Sequence, residues 1–277
     1  MSAISFAING VGWYHISMRN VEKFLKFVLL VLVVARIFAQ NPDLKQEITS
    51  QVGESINQIS NLSTNQIVSS VVDNLGDIPE YSGNATVELN NNQPFFLNDE
   101  CMYATTISYE YYAPLDNLGR CTYAEANIST DLMPADERED ISSVKPSGWF
   151  NKPYDFIDGG YLYNRCHLIA FVLTGENDNE KNLITGTRYF NVQGMLPYEI
   201  AVASYIRNTN NHVLYRVTPV YDGDNLVADG VVMEAYSVED DGDGLEFCVF
   251  AYNVQPGITI DYKDGNNWES GYSEGEE

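Results

Sequence analysis

A histidine, two arginines and several amide side chains lie close together in the middle of the chain. Residues 163–170 read YNRCHLIA and residues 182–191 read NLITGTRYFN. If the first segment is a strand, Arg165 and His167 project from the same face, because side chains alternate along a strand. That face then presents a fixed cation beside a titratable base, with Arg188 close by in sequence.

Phosphodiester hydrolysis requires this combination. A neutral imidazole can take a proton from water, and positive charge stabilises the negative charge that accumulates around phosphorus. A divalent cation usually stabilises the leaving oxygen. The candidate ligand is the amide oxygen of Asn191, and Glu199, eight residues later, is placed to orient metal-bound water. The sequence therefore predicts a hard Mg²⁺ ion, with Mn²⁺ as the alternative, held by few protein ligands.

The segment 164–167, Asn-Arg-Cys-His, resembles the Asp-Arg-Gly-His motif of the DNA/RNA non-specific endonucleases, the ββα-metal or His-Me finger group. This group includes bacterial nucleases that cut DNA as it enters the cell and secreted streptodornase-like DNases. The resemblance extends over about residues 76–261, through the segments 78–83, 90–96, 118–120, 145–149 and 182–188. It implies an α+β fold with a ββα-metal core embedded in a mixed, mainly antiparallel sheet.

The resemblance also implies a role for each matching residue. His167 matches the general base, Asn191 the metal-binding asparagine and Glu199 the acidic residue that holds metal-bound water. Arg165 is the arginine of the motif, and Asn182 is the earlier asparagine of the second segment. All except the metal ligand Asn191 are therefore predicted to be catalytic.

Two further arginines are expected to bind substrate. Arg120 resembles an upstream arginine of the family that contacts phosphate, and Arg188 supplies local positive charge. The motif departs from the family at two positions, with Asn164 in place of Asp and Cys166 in place of Gly. Cys166 is expected either to crowd the turn or to lie on the face opposite His167.

The surrounding elements also indicate an α+β layout. Strands are predicted over residues 104–112, 121–123 and 245–254, and a hairpin over 213–220 and 226–238. A helix is predicted from 197 to 207, with a Pro at its start. Its buried face is expected to contain Ile200, Val202, Ala203 and Ile206.

The N-terminal region has the form of an export signal. An apolar run over residues 27–35 follows the basic residues Arg19, Lys23 and Lys26. Residues 24–39 provide the alternative of a membrane anchor, and Met18 is a candidate start of translation. The predicted domains are a signal peptide or anchor (1–39), a polar linker (40–75), a nuclease domain (76–263) and an acidic tail (264–277). The expected location is extracellular or at the cell surface.

Composition limits how the protein can bind nucleic acid. The 277 residues include 15 Lys and Arg against 39 Asp and Glu, a net charge of -24. This charge excludes broad electrostatic attraction to nucleic acid, so binding requires a local cluster of cations. The four cysteines could form two disulfides, in any of three connectivities, or remain as small buried residues.

The sequence therefore predicts an exported, metal-dependent endonuclease that cuts DNA, and RNA as well, through contacts to the phosphate backbone. One alternative is a membrane-anchored nuclease for DNA uptake, or a toxin. The other is a non-catalytic binding module at the cell surface. No obligate protein partner is indicated.

Overall fold

A computed structural model describes residues 78–95 and 107–271, together with the backbone of two strands near the N-terminus. Those strands, β1 (Ala3–Ala7) and β2 (Trp13–Ser17), pair antiparallel. The chain divides into two compact units, residues 1–62 and 63–277. Apart from the backbone of β1 and β2, the predicted signal or anchor and the predicted linker lie outside the described residues. No helix in the described part is long and apolar enough to cross a membrane.

The second unit is built on a six-stranded antiparallel sheet in the order β3-β10-β9-β8-β5-β4. Its strands are β3 (Thr86–Glu88), β4 (Tyr109–Tyr112), β5 (Ala124–Ile128), β8 (Val213–Val220), β9 (Gly230–Ser237) and β10 (Glu246–Tyr252). A 3₁₀ turn, Asn90–Asn92, follows β3. The predicted hairpin is confirmed as β8 and β9. The second strand begins at 230 instead of 226, because Leu226 and Val227 donate their backbone N–H groups to Lys263 and Tyr262.

A separate hairpin and the helix that follows it form a ββα unit. β6 (Tyr163–His167) pairs antiparallel with β7 (Leu183–Thr187), and a short helix α1 (Phe171–Thr174) lies between them in sequence. A π-helical segment, Phe190–Met195, leads into helix α2 (Leu196–Thr209). Side chains of this unit and of the six-stranded sheet share one hydrophobic core. The predicted α+β class and mainly antiparallel sheet are confirmed.

Helix α2 has one polar residue on its buried face. Val202, Ala203 and Ile206 are buried, as predicted, but Ile200 is 52% exposed, so its expected burial was wrong. Glu199 takes the buried position instead. It precedes the three buried residues by three, four and seven positions, the spacing that places side chains on one face of a helix.

The end of the chain is folded further than expected. β11 (Ile258–Ile260) pairs with β12 (Asn267–Glu269), and Lys152 Nζ donates to the Asn266 side chain at 3.0 Å. Residues 264–271, the first part of the predicted acidic tail, therefore belong to the folded unit. Residues 272–277 lie outside the described part of the chain.

The cysteines do not form the two suggested disulfides. Cys121, Cys166 and Cys248 are all buried free thiols. Any arrangement of four cysteines into two disulfides would join two of these three. Cys101 lies outside the described residues.

Candidate active site

A cleft of about 660 Å³ opens where the β6–β7 hairpin meets the start of α2. The predicted site residues that line it are Arg165, His167, Arg188, Asn191 and Glu199. The ββα unit brings them together, since they come from β6, from the residue after β7, from the π-helical segment and from the first turn of α2. Arg165 and His167 both line the cleft, as strand alternation predicted.

His167, the last residue of β6, is oriented by a backbone carbonyl. It is 7% exposed, and its Nε2 lies 2.8 Å from the carbonyl oxygen of Asn177. A carbonyl can only accept, so Nε2 carries the proton and Nδ1 keeps its lone pair. Burial, together with the positive charge of the nearby Arg138, lowers the pKa of His167 to about 4, against the opposing effect of the hydrogen bond to Asn177. The imidazole is therefore neutral near pH 7 and can accept a proton at Nδ1.

Glu199 lies in the same cleft as a buried acid. It is 7% exposed, and within the described residues no hydrogen-bond donor contacts its carboxylate. Burial raises the pKa of Glu199 to about 8, against the opposing effect of Arg138. Asn191 lines the cleft nearby, and in the described part of the chain its side-chain amide has no hydrogen-bond partner. Two oxygen-bearing side chains thus remain free to bind a ligand.

Arg138 was missed by the sequence analysis. Its Nη2 donates to His167 Nδ1 at 3.3 Å, so the guanidinium covers the lone pair of the base. Arg138 is the only base in an acidic run, flanked by Asp136, Glu137, Glu139 and Asp140. That run is typical of a solvated loop, and the only sequence signal was one arginine among four carboxylates.

The other two cleft arginines differ in how firmly they are held. Arg165 donates to the backbone carbonyls of Val144 and Ser142, and its guanidinium lies 4.3 Å from the ring centre of Trp149. These contacts fix Arg165 to the loop beside the cleft. Arg188 pairs with Asp158 at 2.7 Å, but the Asp158 side chain is 81% exposed. Exposed ion pairs are weak, so Arg188 can exchange this carboxylate for a phosphate.

The amino-acid sequence also matches a known protein family. The model of the DNA/RNA non-specific endonuclease family covers residues 100–239, slightly more than half of the chain. The chain belongs to the DNA/RNA non-specific endonuclease family. Family members are phosphodiester hydrolases, and the matched region includes β6, β7, the π-helical segment and α2.

Several known nucleases are similar to the chain. A "Deoxyribonuclease" from Streptococcus dysgalactiae subsp. equisimilis is 30% identical over an alignment of 203 residues that covers 58% of this chain and 61% of that protein. The chain thus spans about three fifths of the length of this curated relative. Magnesium-bound NucA from Streptococcus agalactiae is 27% identical, with a TM-score of 0.61 over 74% of this chain and 96% of NucA. The Sda1 nuclease with bound zinc is 29% identical, with a TM-score of 0.51 over 59% of this chain and 82% of Sda1.

Two predicted site residues do not line this cleft. Asn182 is fully buried, and its side chain both accepts from and donates to the backbone of Ile169, at 2.9 and 3.0 Å. It therefore clamps the chain just after His167 and does not face the reaction. Arg120 bonds Asp116 at 2.7 Å and the carbonyls of Gly223 and Asn225. These contacts join two loops, so the predicted phosphate contact of Arg120 is not supported.

The motif departures are accommodated within the fold of the endonuclease. Cys166 is fully buried in the core, on the face of β6 opposite His167. This is the second of the two arrangements that the sequence suggested. Burial raises the pKa of its thiol beyond the physiological range, which excludes a thiolate nucleophile. Asn164 lines the cleft, where it replaces the usual carboxylate with a neutral amide.

Asn191 and Glu199 fit the divalent cation that the endonuclease fold implies. The described residues contain no group of three His, Cys, Asp or Glu side chains that could hold a metal. However, Mg²⁺ is usually held by one or two protein oxygens together with several waters. The free amide of Asn191 offers one such oxygen, and the buried carboxyl of Glu199 offers a site for a metal-bound water.

Proposed function

We propose that this protein is a metal-dependent endonuclease that hydrolyses DNA, and RNA as well, without sequence preference. The observation that carries the proposal is the orientation of His167. Its Nε2 proton is held by a carbonyl, its Nδ1 accepts from the cleft-lining Arg138, and the oxygens of Asn191 and Glu199 are free in the same cleft. A neutral base and a cation site on opposite sides of one phosphate are what hydrolysis requires.

The proposed reaction begins with the exchange of one hydrogen bond. A phosphate of the substrate strand draws Arg138 away from Nδ1 of His167, since a guanidinium binds an anion more strongly than a neutral imidazole. The freed Nδ1 accepts a proton from a water molecule as that water attacks phosphorus. The bond between phosphorus and the leaving oxygen breaks, and the leaving oxygen takes up a proton from solvent. Arg138 and Arg188 stabilise the negative charge that develops on the phosphate oxygens.

The cation supplies electrostatic stabilisation at the leaving oxygen when it is bound. In this proposal Asn191 holds the ion directly and Glu199 holds one of its waters. Magnesium is supported by the magnesium-bound NucA structure, and zinc in Sda1 indicates that related sites accept other divalent ions. Manganese is the alternative that we expect to replace magnesium.

Export to the cell surface or the medium is also a proposal. It rests on the basic residues and the apolar run at 27–35, which precede the nuclease domain. A cleaved signal peptide releases the enzyme, whereas a retained anchor over residues 24–39 holds it at the membrane. Fractionation of expressing cells, together with N-terminal sequencing of the mature protein, distinguishes the two.

A plasmid-nicking assay tests the function. Supercoiled plasmid is incubated with the full chain in Mg²⁺, in Mn²⁺ and in EDTA, and the same assay is run with His167→Ala and Asn191→Ala. We expect nicking with either metal, none in EDTA, and a loss of roughly a thousandfold in both variants. His212→Ala is the matched control, since His212 lies outside the cleft, in an ion pair with Glu239.

Each adverse result has a distinct meaning. Nicking by His167→Ala at the rate of the unchanged protein would show that His167 is not the general base. Full activity in EDTA would show that the reaction requires no divalent cation. No nicking by a folded unchanged protein that still binds DNA would support the non-catalytic binding module instead.

A further inference from the structure

Tyr161 presents an exposed aromatic ring at the edge of the catalytic cleft. It lines the cleft together with His167 and Arg188, and it is 55% exposed. Within the described residues its hydroxyl has no hydrogen-bond partner and its ring contacts no other aromatic ring. A large ring left open to solvent in a catalytic cleft has one face available to a flat ligand.

The backbone beneath Tyr161 forms a turn that is held by hydrogen bonds. The residues before it, Gly159 and Gly160, have φ values of 83° and 76°, in the left-handed region that glycine adopts without strain. The Gly160 N–H donates to Ile157 at 2.8 Å, and Tyr161 forms an isolated antiparallel bridge with Pro153. The ring is therefore exposed on a fixed turn and not on a loose loop, so holding it against a ligand costs little entropy.

A cleft arginine is held close to the backbone of Tyr161. Asp158, three residues before Tyr161, holds the guanidinium of Arg188, and the Arg188 N–H donates to the carbonyl of Leu162 at 2.8 Å. A nucleotide also presents a flat base beside a phosphate. Three other aromatic residues line the cleft, namely Trp149, Tyr163 and Phe171. Trp149 is already covered by the guanidinium of Arg165 at 4.3 Å, Tyr163 is buried and Phe171 is only partly exposed. Tyr161 is thus the cleft aromatic best placed to receive a base.

We propose that Tyr161 stacks on an unpaired base of the substrate strand and gives the enzyme a preference for single-stranded nucleic acid. In a duplex both faces of each base are covered by neighbouring bases, whereas an unpaired base can turn onto a side chain. In a protein of net charge -24, stacking also adds affinity that requires no further cations. The inference rests on the proposed function, because it identifies the cleft ligand as a nucleic-acid strand.

A comparison of cleavage rates tests this preference. The kcat/KM of the full chain is measured in Mg²⁺ on one oligodeoxynucleotide, single-stranded and as a duplex. We expect faster cleavage of the single strand, and Tyr161→Ala should lower that rate about tenfold while it changes the duplex rate less than about twofold. Tyr161→Phe should retain the preference. Phe156→Ala is the matched control: Phe156 is 56% exposed in the same loop but does not line the cleft.

A binding measurement separates failure of this inference from failure of the proposed function. A single-stranded oligonucleotide with 2-aminopurine is titrated in EDTA into His167→Ala and into His167→Ala/Tyr161→Ala. Quenching by the first protein and about tenfold weaker binding to the second would support stacking even if no variant cuts DNA. The inference would be overturned if Tyr161→Ala lowered kcat/KM equally on the single strand and on the duplex. It would also be overturned if His167→Ala and His167→Ala/Tyr161→Ala bound the oligonucleotide equally well.

Discussion

His167 and Glu199 have pKa values shifted in opposite directions within one cleft. Burial lowers the pKa of His167 to about 4 and raises that of Glu199 to about 8. Near pH 7 the imidazole is therefore neutral and the carboxyl is largely protonated, so each group adopts its uncharged form. Paired titratable groups with separated pKa values are typical of acid and base chemistry. A cation that reaches Glu199 must first displace its proton.

This competition predicts how metal affinity depends on pH. Only the ionised carboxylate attracts a cation, so below about pH 8 the affinity for Mg²⁺ should rise about tenfold for each pH unit and level off above it. His167 does not titrate in that interval. Isothermal titration with Mg²⁺ between pH 6 and pH 9 measures the slope.

Glu199→Gln provides the decisive comparison, because it keeps the shape of the side chain but cannot ionise. We expect weaker binding with no pH dependence between pH 6 and 9 in this variant. Asp240→Asn is the control, since Asp240 lies in the β9–β10 turn outside the cleft lining. If Mg²⁺ binding to Glu199→Gln retained the full pH dependence, the proton that competes with the cation would belong to a group other than Glu199.

At the level of elements, the geometry of the site depends on how β6, β7 and the π-helical segment interlock. Gly186 on β7 faces Cys166 of β6 and the ring of Phe190. An added Cβ at Gly186 would lie 2.5 Å from Cys166 Sγ and 2.6 Å from a Phe190 ring carbon. The thiol that replaces the usual glycine of the motif thus occupies space that Gly186 leaves open.

This interlock predicts a specific stability pattern. Gly186→Ala should lower the free energy of unfolding by about 1–3 kcal/mol, because an overpacked core must shift. The double variant Gly186→Ala/Cys166→Ala should recover part of that loss, since alanine removes the sulfur that clashes. Urea denaturation measures both values.

Gly194→Ala is the control for the glycine substitution. A Cβ there would lie no closer than 3.4 Å to its neighbours, which is ordinary van der Waals contact. We expect little change in stability. A Gly186→Ala variant as stable as the unchanged protein would show that the β6–β7 hairpin is not tightly packed against Phe190.

Considered as a whole, the molecule has a net charge of -24, and under the proposed function it must still bind a polyanion. Attraction must then come from the few cleft cations, and Arg138 and Arg188 are the two that we expect to contact phosphate. Affinity for duplex DNA falls with salt by a slope of about -0.9 for each phosphate neutralised. The slope of log(kcat/KM) against log[NaCl] should therefore be near -2 at constant Mg²⁺.

Removal of one phosphate-binding arginine should make this slope less negative by about one. Arg138→Ala should bring it near -1, whereas Arg207→Ala, in the last turn of α2, should leave it unchanged. Cleavage rates in 50 to 300 mM NaCl measure the slopes. A salt-independent rate, or a slope unaffected by Arg138→Ala, would contradict the assignment of these contacts.

The sequence was sufficient to predict some features of the site and not others. The position of His167, Asn191 and Glu199 in one cleft could be predicted because their spacing follows one short hairpin and helix, which local patterns describe well. The position of Arg138 could not be predicted, because it depends on how a polar loop returns to the cleft. The contacts of Arg120 could not be predicted for the same reason, since its partners at 223 and 225 are distant in sequence.

Chemical rescue is the most direct test of the central claim, that the imidazole of His167 takes the proton from the attacking water. His167→Gly leaves space in the cleft, and its cleavage rate is measured in Mg²⁺ with and without added imidazole. We predict a loss of about a thousandfold and at least about a tenfold recovery with imidazole, whereas Asn191→Ala shows no recovery. Equal recovery in both variants, or an undiminished rate in His167→Gly, would contradict the account.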